Sequence, residues 1–484
     1  VNTSPKTPPL VIASKHKYLI AVDGEEGRIE WTSRLNGWIT SMVSGDFNID
    51  GRDEIAAITR KRNFYILSND GSLIYSKKLE EPLQQNSLTV CDLNRDGYPE
   101  IYVGASNLYG FDTNGSEILN IPTPSSICAI TCGRVNMDLS SALIIGLKGE
   151  IRVIMNSSGR IIKYKLPDLF PYIIRVGDID GDFQEEIVIG DWHSDTIRVL
   201  KNVDDKLKSL FKIKLEANPL EIKVSDINGD GESEILVIMD KTDNNFLIFK
   251  KTKLLFQANT HNSSLGIAVG NALGYGHGDI VYRSGRERIS LLVHVPRIYL
   301  PSILTEKENF IASTITQADD KLEMKPTITM KRKEIKRSKL NIGWVTFSHY
   351  EGSTRRPGII VMKINRRKRV LLKRLINVAS DRYYMPMINV IRICDEDKLL
   401  LNKKTPMSLP IKDSSDLIDI THHRNEIIFS ARISGYIRDK IIFQSDNKEY
   451  EQTIVFDVQP AISVSILHKE YFYSKDKMSI IIIN

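Results

Sequence analysis

A nine-residue loop, Asp46-Phe47-Asn48-Ile49-Asp50-Gly51-Arg52-Asp53-Glu54, recurs along the first part of this chain and constrains its fold more than any other feature. Near-copies are Asp92-Leu93-Asn94-Arg95-Asp96-Gly97-Tyr98-Pro99-Glu100, Asp178-Ile179-Asp180-Gly181-Asp182-Phe183-Gln184-Glu185-Glu186 and Asp226-Ile227-Asn228-Gly229-Asp230-Gly231-Glu232-Ser233-Glu234. Oxygen-bearing side chains stand at positions 1, 3, 5 and 9, with a turn glycine at position 6 in three of the four. A hard cation such as calcium takes six to eight oxygen ligands, and this spacing wraps a loop around one. The ligand sets are Asp46/Asn48/Asp50/Glu54, Asp92/Asn94/Asp96/Glu100, Asp178/Asp180/Asp182/Glu186 and Asp226/Asn228/Asp230/Glu234. The backbone carbonyl at position 7 (Arg52, Tyr98, Gln184, Glu232) completes each shell. Polar Asx turns without an ion are the alternative. Each loop runs into an apolar β pattern, as in Glu54-Ile-Ala-Ala-Ile or Glu186-Ile-Val-Ile-Gly, so the unit is strand, calcium loop, strand. With up to four calcium ions spread over equivalent loops, their role is structural, because uncompensated carboxylates in each loop would repel.

A second repeat runs in step with the first. Gly27, Gly71, Gly115 and Gly159 fall at equal intervals, each in a hairpin turn, as in Phe111-Asp-Thr-Asn-Gly115-Ser-Glu-Ile-Leu119. Degenerate loop copies at Arg134–Ala142 and Asn271–Asp279 fill the missing beats. A period of about forty residues with four short strands per unit predicts a β-propeller. After an N-terminal tail over 1–9, residues 10–300 hold seven units. The unit at 10–35 lacks its first strand and calcium loop, and a segment after residue 300 is the natural donor to close the ring. Residues 301–340 are basic and read as linker or ring-closing strands. Residues 341–484 alternate apolar and polar without helical period, which predicts a β-sandwich-like domain. The whole is all-β.

A chain of 484 residues with 42% hydrophobic and 26% charged residues has the composition of a globular protein of two or more domains. A net charge of +6 over that length does not call for a nucleic-acid partner. No apolar run reaches the roughly 18 residues of a membrane span. Both ends read as cuts in a longer sequence. Cys91, Cys128, Cys132 and Cys394 lack metal-type CxxC pairing, and Cys91 and Cys128 read as small core residues.

The Asp-x-Asx-x-Asp-Gly-x-x-Glu loop entering an apolar strand resembles the FG-GAP/VCBS repeat family, which includes the integrin α-subunit head, many microbial surface proteins and intracellular scaffolds such as those of the Bardet–Biedl trafficking complex. The resemblance covers residues 10–300 and implies a seven-bladed propeller with calcium at loops on one face. The chain departs from the family in four places. The Phe-Gly…Gly-Ala-Pro signature of integrin blades is absent, Phe183 replaces the turn glycine, Arg134 stands at position 1 of one degenerate copy, and Leu273 and Tyr275 occupy ligand slots of the other. The hairpin Asp23–Trp31 is also similar to a quinoprotein propeller repeat, which keeps a propeller enzyme as a remote alternative.

No phosphate loop, nucleophile–base pair or zinc spacing appears, and metal catalysis needs an open coordination position aimed at substrate. We therefore expect a non-enzymatic recognition or adhesion module. The face opposite the calcium loops carries Trp38, Arg60, Lys61, Arg62, Trp192, His193, Arg283 and Arg286, a basic surface with aromatic anchors for a protein or glycan, or else ordinary solvated loop residues. The basic runs at 331–339 and 366–369 read as solvated faces. Four Asn-x-Ser/Thr acceptors (Asn2, Asn114, Asn156, Asn262) fit an extracellular or cell-surface location. An intracellular scaffold in a trafficking or signalling complex is the alternative.

Overall fold

The computed structural model describes residues 10–458 except 24–27, 49–51, 81–82, 85, 156–159, 192, 261–265, 271, 273–277, 286–287, 295, 300–303, 306–308, 318–321, 327–329, 341–342, 355–357, 367–368, 380–387, 394–408, 414–417, 424–425, 432–434 and 446–447. Among the described residues the ordered elements are strands alone.

Residues 10–293 form a succession of antiparallel sheets in which strand order follows the sequence. The first sheet has three strands, Leu10–Lys15, Tyr18–Asp23 and Ile29–Arg34. Five four-stranded sheets follow, like propeller blades. The second runs Ile39–Gly45, Glu54–Thr59, Asn63–Leu67, Leu73–Lys78, and the third Leu88–Cys91, Glu100–Gly104, Asn107–Phe111, Glu117–Pro122. The fourth is Ala129–Gly133, Ala142–Leu147, Glu150–Met155, Arg160–Lys165. The fifth is Pro171–Gly177, Glu186–Asp191, Thr196–Val203, Lys206–Lys214, and the sixth Pro219–Ser225, Glu234–Met239, Phe246–Lys250, Lys253–Ala258. The seventh has three described strands, Ile267–Gly270, Asp279–Gly285 and Arg288–Val293.

Burial explains why these residues make blades. The second strand of each four-stranded sheet is buried along its whole length, which is why it reads as an unbroken apolar run. Outer strands such as Leu73–Lys78 and Glu117–Pro122 alternate exposed and half-buried positions, the period-two pattern of an edge with one wet face. Apolar clusters lie between neighbouring sheets rather than within one. Ile58, Phe64, Ile101 and Phe111 join the second sheet to the third. Val188, Val199, Ile235 and Val237 join the fifth to the sixth. First strands of successive sheets lie side by side, and a glycine at the strand end permits the approach. A Cβ on Gly177 would stand 2.3 Å from Val224 Cγ1, and one on Gly133 would stand 2.4 Å from Val176 Cγ2.

A disulfide joins Cys91 to Cys132, from the first strand of the third sheet to that of the fourth. Cys91 is thus a covalent link between blades rather than only a small core residue, while Cys128 keeps a free thiol. Cys394 lies outside the described residues.

The segment expected as linker or ring-closing strands enters two sheets shared with strands after residue 342, one of which also takes in Arg297–Tyr299. Asn309–Gln317 and Met330–Leu340 both pair with Gly343–Ser353, and Leu322–Pro326 pairs with Gly358–Arg366. Among the described residues Leu10–Lys15 pairs with Tyr18–Asp23 alone. A further sheet (Ile388–Ile393, Lys448–Val458, Gly435–Ser445, Leu409–Asp413) and the hairpin Ile418–His423/Glu426–Ala431 complete the C-terminal part.

Candidate metal loops

Each of the four acidic loops connects the first and second strands of its sheet, and all four are closed by one device. The position-9 glutamate sits at the start of the second strand, buried, and one of its oxygens accepts the position-2 backbone N–H. The four bonds are Phe47 N to Glu54 (2.9 Å), Leu93 N to Glu100 (3.2 Å), Ile179 N to Glu186 (2.8 Å) and Ile227 N to Glu234 (3.0 Å). The apolar residue at position 2 explains its half of the contact, since Phe47, Leu93, Ile179 and Ile227 are all buried and hold that N–H inside.

The position-1 aspartate then gathers the turn. Asp178 accepts N–H bonds from Gly181 (2.6 Å), Asp182 (3.1 Å) and Phe183 (2.8 Å). Asp226 accepts from Gly229 (2.7 Å), Asp230 (3.1 Å) and Gly231 (2.8 Å), and Asp92 from Gly97 (3.0 Å). Positions 3 and 5 form successive Asx turns. Asn94 accepts from Asp96 N and Asp96 from Tyr98 N, both at 2.8 Å, while Asn228 accepts from Asp230 N (2.7 Å) and Asp230 from Glu232 N (3.0 Å). The position-6 residue takes a left-handed backbone in the three loops where it is described, with φ of 93° at Gly97, 71° at Phe183 and 93° at Gly231. Phe183 therefore holds a conformation that side chains disfavour, and its ring lies 6.4 Å from that of Tyr436.

The electrostatics follow from packing carboxylates behind apolar strands. Burial, with Asp92 and Asp96 adding to it, pushes the Glu100 carboxyl up to about 7 although Leu93 N–H lowers it. Burial likewise raises Glu234 to about 7 and Asp178 to about 6. Oxygens of Asp178, Asp180 and Glu186 lie within 4.8 Å of one another, close enough to share a cation. The acidic and amide side chains of the 46–54 and 92–100 loops offer oxygen ligands, which fits calcium, and Arg95 lies near enough to Asp92 to feel its charge. In the first, Asn48 Nδ2 lies 3.3 Å from Glu54 Oε1, while Asp50 lies outside the described residues.

The two later loops each contain a lysine that the spacing of acids did not point to. Lys201 Nζ lies 2.6 Å from Asp180, 3.1 Å from Asp182 and 2.9 Å from Glu186. Lys250 Nζ contacts Asp230 and lies 3.1 Å from Glu232 and 3.8 Å from Glu234. Burial disfavours the Lys201 charge, yet its bonds to Asp180 and Glu186 hold the ammonium above its ordinary pKa.

Of the position-7 residues, Tyr98 is exposed and Arg52 holds its place in the first loop. The Gln184 side chain is buried and donates to Val135 O (2.9 Å) and Asn202 O (2.6 Å), tying its loop to the degenerate copy next door. There Arg134 pairs with Glu185 at 3.1 Å.

The loops also meet the C-terminal part, a contact with no local sequence signal. Arg95 donates to Tyr436 O (2.8 Å), the Arg134 guanidinium sits 4.4 Å from the Tyr436 ring centre, and Arg438 N–H reaches Asp138 O at 3.4 Å. Arg438 also donates to Asp182 O.

At the other end of the sheets, antiparallel order places the turns between second and third strands beside the inter-sheet connections. Trp38 is 50% exposed, with the Arg60 guanidinium 5.4 Å from its ring and His16 at 5.1 Å. Lys61 bonds Asn36 at 3.1 Å and Arg62 donates to Glu80 O. His193 stacks edge-on against Phe170 at 5.5 Å. Arg283 lies within a strand, its N–H on Gly266 O at 3.2 Å. Trp192 and Arg286 lie outside the described residues.

With this loop-and-strand unit in view, comparison with known families decides what it is. Residues 46–103 are an FG-GAP-like repeat. No curated protein matches the sequence at a significant level. Among solved structures the chain is similar to BBS1N in complex with ARL6DN, soaked with mercury (12% identity, 60% of this chain and 93% of that one, TM-score 0.44), and to the same complex soaked with lead (13%, 63% and 90%, 0.41). It is also similar to the dihydro-heme d1 dehydrogenase NirN in complex with DHE (12%, 78% and 75%, 0.41).

Proposed function

We propose that the chain is a non-enzymatic recognition module, a seven-bladed propeller of FG-GAP-like repeats stabilised by calcium, acting outside the cell or at its surface. The oxygen donors of the 46–54 and 92–100 loops, within the repeat at 46–103, support the calcium reading. Bound there, calcium would add positive charge beside the buried carboxyls of Glu54 and Glu100. Extracellular modules of this kind are tuned to ~0.1–1 mM calcium. The Cys91–Cys132 bond supports an oxidising compartment, where such links persist.

The observation that carries recognition is the platform of Trp38, Arg60 and His16, at the end of the sheets away from the acidic loops. A half-exposed indole flanked by a guanidinium and an imidazole stacks on a sugar face or holds an acidic peptide. Replacing Trp38 and Arg60 together by alanine is expected to abolish retention on a glycan or protein array that the unaltered protein labels, without moving the melting temperature. Equal labelling by both proteins would overturn the assignment of this face.

A further inference from the structure

We propose that Lys201 and Lys250 are the resident cations of the loops at 178–186 and 226–234, standing where a divalent ion would otherwise sit. The number of ions rests on the calcium reading above; the role of the lysines does not.

Strand register carries the argument. In each four-stranded sheet with an acidic loop, the residue after the position-9 glutamate pairs with a third-strand partner. These pairs are Ile55 with Leu67, Ile101 with Phe111, Ile187 with Leu200 and Ile235 with Phe249. The next residue of the third strand therefore stands beside the glutamate and over the loop. It is Ser68, Asp112, Lys201 and Lys250 in turn.

The first two bring no positive charge and are occupied with the hairpin turn. Ser68 Oγ lies 2.6 Å from Ser72 Oγ, and Asp112 accepts Asn114 N at 2.9 Å and Ser116 N at 2.7 Å. The two lysines reach inward instead. Lys201 is only 12% exposed, and its three N–H donors face three carboxylates, one of them the fully buried Glu186. Lys201 donates to Asp180 and lies at ion-pair distance from Asp182 and Glu186, so an ammonium, with donors and no acceptor, suits a place ringed by carboxylates. A lysine merely lying over a surface would keep its head in water.

The seventh sheet shows the same solution in a loop that has lost its other acids. Asp279 holds the position-9 place, and the buried Arg297 guanidinium lies 2.7 Å from it. Calcium entering the 178–186 loop would meet an ammonium a few ångströms away. Like charges at that range repel, and a divalent ion doubles the repulsion. The lysine must therefore leave before the ion can bind.

Two measurements on the intact chain test this. Calcium bound per chain, by equilibrium dialysis, is expected to rise by two from the unaltered protein to the Lys201→Met/Lys250→Met variant. Four ions in the unaltered protein, or the same number above zero in the folded variant as in the unaltered protein, would overturn the proposal. Melting in EDTA decides without reference to calcium. Lys201→Met is expected to lower the melting temperature by about 5 °C, and adding Asp180→Asn and Asp182→Asn is expected to restore most of it. Should Lys201→Met not fold, Lys201→Gln serves in its place. No fall in EDTA, or no restoration, would overturn the lysine role, whereas zero calcium in every variant would overturn only the calcium reading.

Discussion

Glu100 shows what a single loop residue does. Its carboxylate holds Leu93 N–H and lies behind an apolar strand beside Asp92 and Asp96. Folding raises its pKa from 4.5 to about 7, so the folded chain keeps the proton more tightly than the unfolded one. The stability it contributes is complete below about pH 4.5 and is lost as pH rises through about 7. Metal-free protein is therefore expected to melt higher at pH 5 than at pH 7.5, and Glu100→Gln to flatten that slope. Thermal scans in EDTA across this range check it, and an identical slope in the variant would contradict it. Calcium is expected to stabilise most at the upper end, where the carboxylate is ionised. The residues that matter in this way were legible beforehand, because ligand spacing lies within nine consecutive positions. Lys201 and Lys250 were not. They reach their loops across a strand pair, and only the register reveals which third-strand residue stands over the glutamate.

At the scale of the element, the unit is a sheet whose first strand packs on the next sheet's first strand. The hairpin glycines and the unbroken apolar second strands announced this arrangement, since both arise from neighbours in sequence. Contacts between sheets leave a weaker trace. Gly133 and Gly177 look like strand glycines until the neighbouring valines are placed against them. Cys91 and Cys132 likewise sit 41 residues apart, in two different repeats. Replacing both by alanine is expected to destabilise the chain by about 4 kcal/mol on the loop-entropy estimate for that separation. Denaturant unfolding measures the difference, and a change under about 1 kcal/mol would show that packing alone joins the third and fourth sheets.

At the scale of the whole molecule, the acidic loops are not a free rim. Tyr436 and Arg438, from a strand near the C-terminal end, lie against Arg95, Arg134, Asp138 and Asp182. More than three hundred residues separate Arg95 from Tyr436, so nothing local foretold the contact. It gives Phe183 a reason to replace glycine, since its ring meets Tyr436 at a position where the backbone alone would favour no side chain. On the proposed reading the chain holds its loops by three means: oxygen cradles for an ion, lysines in the ion's place, and a docked strand. Hydrogen exchange with and without EDTA separates them in one measurement. Chelation is expected to speed exchange in peptides covering 46–54 and 92–100, where Phe47 and Leu93 N–H are held, and to leave 178–186 and 226–234 protected. Unchanged protection in the first two loops would contradict the claim that calcium holds them.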